Sequence, residues 1–257
     1  MADRPSHALC DHNVNTIATR LDLTEVLSDD GGPAMTLTSQ MSPDPVGELR
    51  RFEREGVATL VYVGITVPMI GLDSHMLYAF TPAESPVPHF TLDSVQTQLP
   101  PEAGGGEVLA FHIDLNPRID PGINPAYLQH CYVPLNEARA RGLAIEGVTA
   151  ADLQPLQWQV MSSWMMANRA TPEAFEQIGG VVAEYRDQWF ALLDAGVPES
   201  VLGGWDAEQI SRRDRLSRDT IFSAEVDPVW ANIARLLGDE QATQLRESVR
   251  DAGRDNR

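Results

Sequence analysis

Five side chains suited to proton chemistry fall on alternating positions of two neighbouring segments. In "PHFTLDSVQ", an extended chain puts His89, Thr91 and Asp93 on one face and Phe90 and Leu92 on the other. In "AFHIDLN", His112 and Asp114 share a face opposite Phe111, Ile113 and Leu115. If the two segments pair as a hairpin, their apolar sets must lie together, because a one-residue slip turns a whole set of side chains over. All five polar residues then crowd one face of adjacent strands. Carboxylates beside imidazoles, once covered from water, have shifted pKa values and pass protons near neutrality. A solvated face would account for polar residues without any function. This face, however, carries no Arg, Glu or Gln, and the later chain supplies helices enough to cover both sides. A metal could use the same His and Asp set, but no tight ligand spacing singles one out.

A further acid stands out in "WDAEQISRRDRLSRDTIF". Ile210, Asp214, Ser217 and Ile221 fall at i, i+4, i+7 and i+11, one face of a helix. The isoleucines turn that face inward, and Asp214 goes with them. Arg212, Arg213, Arg215 and Arg218 surround it. Either Asp214 is one member of an exposed arginine network, or it is a second proton-carrying acid facing a pocket. In the second case arginines among 212, 213 and 218 would hold substrate carboxylates through their planar forks.

The elements that would position these residues are legible in part. Residues 1–45 are polar, with "SDDGGP" and "MSPDP" as breakers, and read as a loosely packed arm with one short helix near 17–27. Residues 46–257 read as a single domain. "VGELRRFERE" predicts a short helix. "VATLVYVGITVPMI", "HMLYAFTP", "PHFTLDSVQTQ" and "EVLAFHIDLNPR" predict four strands, with "LPPEAGGG" turning between the last two. "NPAYLQHCYVPLNEARARG" starts as a helix after a Pro-rich turn, and "QWQVMSSWMMAN" predicts another strand, its Trp158, Trp164, Met165 and Met166 read as core. The longest helix follows, capped by Thr171 with Pro172 at its first position and Gly196 after its end. Asp206 and Gln209 make a capping box for the next helix, and short helices near 228–237 and 239–251 close the chain. Strands first and helices later predict an α+β fold, a three-layer α/β/α sandwich around a mostly antiparallel sheet.

Composition excludes several functions. The 257 residues carry a net charge of −18, a poor match for nucleic acid or anionic membrane. All 19 cationic residues are arginine, so neither a Schiff-base lysine nor a P-loop lysine exists. No dinucleotide-binding glycine fingerprint follows a strand, and no Gly-x-Ser-x-Gly elbow occurs. No apolar run is long enough to span a membrane. The N-terminus lacks a signal-peptide core, and the two cysteines form no framework, which together fit a cytoplasmic protein.

With these residues in view, two stretches resemble the red chlorophyll catabolite reductases. "HIDLNPRIDPGINPAYLQHCYVPLNEAR" has a strand, then an arginine and an aspartate, then Asn-Pro-x-Tyr-Leu opening a helix. "ISRRDRLSRDTIF…DPVWANIARLLG" resembles the family's C-terminal helix with its Arg-Arg-Asp. "PHFTLDSVQ" matches the strand that carries the family's site acid, with Asp93 where the plant enzymes have glutamate. The match covers roughly residues 57 to 252. The resemblance implies the fold of the ferredoxin-dependent bilin reductases, with substrate between the sheet and the C-terminal helices. It implies no bound flavin or nicotinamide, electrons from ferredoxin, and protons from acids matched to Asp93 and Asp214.

The expected function is therefore reduction of an open-chain tetrapyrrole or a related conjugated heterocycle. Asp93 and Asp214 would supply protons. His89, Thr91, His112, Asp114, Arg212, Arg213 and Arg218 would bind the substrate. Ferredoxin would dock transiently, the 212–218 arginines offering it a positive patch, and a homodimer stays open. Two other readings remain: a bacterial secondary-metabolism enzyme using the same acids for non-redox chemistry, or a tetrapyrrole carrier without turnover.

Overall fold

Alternation and β-branched runs place the four central strands correctly, and these join five others in one sheet. The computed structural model describes residues 4–99 and 105–254. In chain order the strands are β1 (Thr24–Val26), β2 (Met35–Ser39), β3 (Ser42–Arg54), β4 (Ala58–Val67), β5 (Leu72–Phe80), β6 (His89–Leu99), β7 (Gly106–Asn116), β8 (Val148–Ala150) and β9 (Met166–Ala170). The sheet order is β1-β3-β4-β5-β6-β7-β9-β8, with β2 also on β3, and every pair is antiparallel. Part of the "LPPEAGGG" turn, residues 100–104, lies outside the described residues.

Both faces of the sheet are covered. Leu60, Leu77, Phe90, Leu92, Ile113 and Leu115 pack with Cys10 and Ile17 of α1 (Pro5–Leu21) and with Ile178, Val182 and Trp189 of α5 (Pro172–Ala195). On the other face Val61, Val63, Ile65, Met76, Tyr78 and Phe80 meet Ile221 of α6 (Ala207–Ile221), Trp230 and Ile233 of α7 (Val229–Leu237), and Leu245 and Val249 of α8 (Asp239–Asp251). Each such side chain, fully buried, contributes about 1.5–3 kcal/mol. Two cores around one antiparallel sheet make the three-layer α+β sandwich.

Helix ends follow their sequence signals. Thr171 Oγ1 accepts from the Ala174 amide at 3.2 Å. Asp206 Oδ1 accepts from the Gln209 amide at 2.8 Å, and Gln209 Oε1 accepts from the Asp206 amide at 3.0 Å. Gly238, at φ 86°, breaks α7 from α8, a backbone conformation that favours glycine.

Four expectations need correction. Residues 5–39 are not a loose arm: α1 runs Pro5–Leu21 and buries Ser6, Cys10, Asn13, Val14, Ile17 and Leu21, while β1 and β2 pair with β3. That stripe has helical spacing but few large apolar residues, so the segment's overall polarity hid it. The helix predicted over 46–55 is part of β3. Its buried Val46, Leu49 and Phe52 are three apart, which imitates a helix. The strand instead buries both faces, Leu49 in one core and Phe52 in the other. Gly47 lies so close to the Gly64 carbonyl of β4 that a Cβ there would sit 2.0 Å from the oxygen. The segment around 125–144 is two helices, α2 (Pro125–Cys131) and α3 (Asn136–Ala144), with Pro134 in a tight turn between them. Finally, "QWQVMSSWMMAN" is not one strand. Pro155 and a Gln154–Gln157 capping box open α4 (Pro155–Val160), and β9 starts only at Met166. Trp158 is therefore half exposed rather than core.

Candidate active site

The hairpin register brings the polar residues together as parity requires. Thr91 lies opposite Asp114, Asp93 opposite His112, and His89 opposite Asn116. This face looks towards the C-terminal helices. A cavity of about 540 Å³ opens there, between the sheet, α7 and the 151–165 segment. Asp93, His112, Tyr78 and Met76 form its floor, Asp227 and Ile233 its roof, and Met161 and Met165 one wall. The volume suits a small organic ligand, and the lining is mostly apolar.

Asp93 and His112 form the centre. His112 Nδ1 donates to Asp93 Oδ2 at 3.0 Å. Burial works against charge on the imidazole, but the hydrogen bond and negative charge of Asp93 outweigh it and raise the His112 pKa. Asp93 Oδ1 and His112 Nε2 are buried and meet no hydrogen-bond partner among the described residues. Buried polar atoms are almost always partnered, so the pair keeps one unused acceptor and one unused ring nitrogen beside the cavity. Asp227 completes the set. Its Oδ1 accepts from the Val229 amide at 3.0 Å, just before α7 begins. Burial raises its carboxyl to about 6; Asp93's charge adds to this, while the Val229 amide and His112 oppose it. Burial and Asp93 also keep the Tyr78 phenol protonated. Two carboxyl groups and an imidazole thus border one apolar space.

Asp214 belongs to a different cluster. It is 3% exposed, does not line the cavity, and its Oδ1 lies 2.7 Å from His89 Nε2. The Thr81 amide donates to His89 Nδ1 at 3.0 Å, which places the ring proton on Nε2, facing Asp214. Burial and the Arg118 charge push His89 down to about 3, so it is neutral at physiological pH. Burial alone would raise Asp214. His89, Arg118 and Arg218 reverse this and hold it well below the usual carboxylate range. Arg118, itself buried, lies 3.7 Å from Asp214 and donates to Thr81 Oγ1 and the Ala83 carbonyl. Asp214 is thus a fixed anion that ties α6 to the sheet.

The remaining expected residues are structural in their contacts. Asp114 is fully buried and accepts from the Leu115 amide and from the amide and hydroxyl of Ser162, pinning the turn after α4. Thr91 is buried, its hydroxyl 3.5 Å from the Asp114 carbonyl. Arg218 is buried against the Phe80 ring, with its guanidinium given to the carbonyls of Val249 and Ala252. Arg213 donates to the Pro117 carbonyl, and Arg212 is exposed. None of the three reaches the cavity wall.

Sequence reasoning missed Asp227 and Arg118. Asp227 had a faint signal, an acid directly before Pro228 at a helix start. It also missed a polar network on the opposite sheet face. There Tyr62 Oη meets His75 Nδ1 at 2.7 Å, Asp73 lies 3.1 Å from His75 Nε2, and Arg4 pairs with Asp73. Among the described residues no group of three or more His, Cys, Asp or Glu is arranged to hold a metal ion.

No protein-family model matches the sequence, and no curated protein matches it. The fold has a counterpart among solved structures. Phytochromobilin synthase from tomato, in complex with biliverdin, superposes with a TM-score of 0.73 at 17% identity, over 97% of this chain and 84% of that one. The chain therefore shares the fold of that enzyme.

Proposed function

We propose that this chain reduces an open-chain tetrapyrrole or a closely related conjugated heterocycle bound between the sheet and α7. The observation that carries the reading is the hydrogen-bonded Asp93–His112 pair in the lining of a mostly apolar cavity that Asp227 also lines. Pyrrole N–H groups and lactam carbonyls are the complement of such a pair. The fold shared with an enzyme solved in complex with biliverdin supports the substrate class.

The reaction adds two electrons and two protons across one double bond of the ligand. The electrons arrive singly from an external iron–sulfur carrier of the ferredoxin type. One proton comes from His112 Nε2, whose charge Asp93 sustains. The second comes from Asp227, which is still partly protonated near pH 6. Water refills both. General acid action of this kind contributes about 10²–10⁴ in rate. Asp214 stays ionised and positions α6 through His89. Within this reading, the likeness to the red chlorophyll catabolite reductases rests on the Asn-Pro-x-Tyr-Leu and Arg-Arg-Asp stretches.

Absorbance spectra of the purified protein with biliverdin and with red chlorophyll catabolite test binding, and reduced ferredoxin tests turnover. A shifted spectrum that bleaches only with reductant is expected. Product formed without reductant would mean acid–base chemistry instead, and a shift with no bleaching would mean a carrier.

A further inference from the structure

Three elements bound the cavity: the sheet, α7 and residues 151–165. α7 is held in the core by its buried Trp230 and Ile233. The third wall is different. None of residues 151–161 is buried, and every hydrogen bond that 152–161 make among the described residues stays within that stretch. Val160 and Met161 pack half-buried against the core at its far end. Its helix, α4, has six residues and lies against α6 without burying any of them. Isolated helices shorter than about 12–15 residues are marginal in water.

Both ends of this stretch are tied, and the two ties flank His112. The Ala151 amide donates to the Ala167 carbonyl at 2.9 Å, and Ala167 lies directly opposite His112 in the register. At the other end the Ser162 amide donates to Asp114 Oδ2 at 2.8 Å, and the Ser162 hydroxyl donates to Asp114 Oδ1. Asp114 is the next residue after His112 on the same face of β7. Between the ties, Leu153, Gln157 and Met161 line the cavity.

We propose that residues 152–161 are a gate beside the Asp93–His112 pair, fixed at the Ala151–Ala167 bond and the Asp114–Ser162 latch, that swings out to admit the ligand and closes on it. A stretch with little buried surface and no outside hydrogen bond opens at low cost, whereas lifting α7 would expose Trp230 and Ile233 to water. Asp114 is then a positioning residue: its buried carboxylate sets where the far end of the gate stands relative to His112. Closure keeps bulk water from the pair while the ligand is held. The gate goes beyond the tetrapyrrole reading, because it depends on the walls of the cavity and not on which ligand they enclose.

Hydrogen exchange of the free protein and stopped-flow binding of biliverdin test the gate together. In the free protein the amides of residues 157–160 should exchange at least about tenfold faster than those of 233–237 in α7. S162A, which removes the hydroxyl of the latch, should release biliverdin about tenfold faster than wild type with no slower association. Q154A loosens the exposed start of α4 and should speed release less; it reads the gate even where S162A fails to fold. Faster exchange in α7 than in 157–160, unchanged release in both variants, or faster release joined to slower association would overturn the gate. Wild type that binds no biliverdin would overturn the tetrapyrrole reading alone, and the exchange pattern of the free protein would still decide the gate.

Discussion

At the scale of single residues, Asp227 and Asp214 have opposite electrostatics, and that decides their roles. Asp227 has a folded-state pKa of about 6 against an ordinary 3.8. The native state then binds the extra proton between those values, so stability falls as pH rises from about 4 to about 6, and the cost is complete above that. D227N removes the cost. Allowing for partial exposure, denaturant unfolding at about pH 8 should show it about 1–2 kcal/mol more stable than wild type, with the advantage gone near pH 4. The same substitution should abolish turnover. In wild type, the reduction rate should decline as pH rises through about 6, read from a pH–rate profile. His112 adds stability of the opposite kind: its raised pKa means a contribution fully present below about 6.5 and lost as pH rises through the raised value. The polar face was legible in sequence because strand parity is rigid: His89, Thr91, Asp93, His112 and Asp114 all emerged together. Which of them reach the cavity was not legible. That depends on what covers the face, and α6 covers His89 while Ser162 covers Asp114.

At the scale of elements, the buried cluster of Asp214, His89, Arg118 and Arg218 joins α6 to β6 and to the loop after β7. Removing one charge from a buried set leaves the others uncompensated. D214N should therefore cost about 3–5 kcal/mol of stability, measured by denaturant unfolding. The folded fraction should keep the wild-type pH–rate profile, whereas loss of turnover in the folded protein, as expected for D227N, would return Asp214 to proton transfer. For α1, Ile17→Ala should cost about 2–4 kcal/mol, because Ile17 is fully buried between that helix and the sheet; a loose arm would give almost nothing. Strong local signals made the capped helices α5 and α6 readable. The misread elements, α1 and β3, owe their state to long-range packing: a narrow stripe on the sheet in one, and three strand partners in the other. Such contacts leave little trace in local composition.

At the scale of the whole molecule, the sheet separates two environments. One face carries the apolar core beneath α1 and α5, with the Tyr62–His75–Asp73 network beside it, and the other holds the Asp93–His112 cavity beneath α7. The order of strands before helices made the layers predictable, but the cavity appears only where α7 and the 151–165 segment leave the sheet uncovered. A ligand seated there contacts both and should raise the unfolding temperature, since it binds only the folded state. The most direct test of the central claim is anaerobic single-turnover reduction of protein-bound biliverdin by reduced ferredoxin in wild type, D93N and D227N. The account predicts that all three bind the ligand, that wild type bleaches its long-wavelength band, and that each variant is slower by at least about a hundredfold. Bleaching at the wild-type rate in both variants would contradict it.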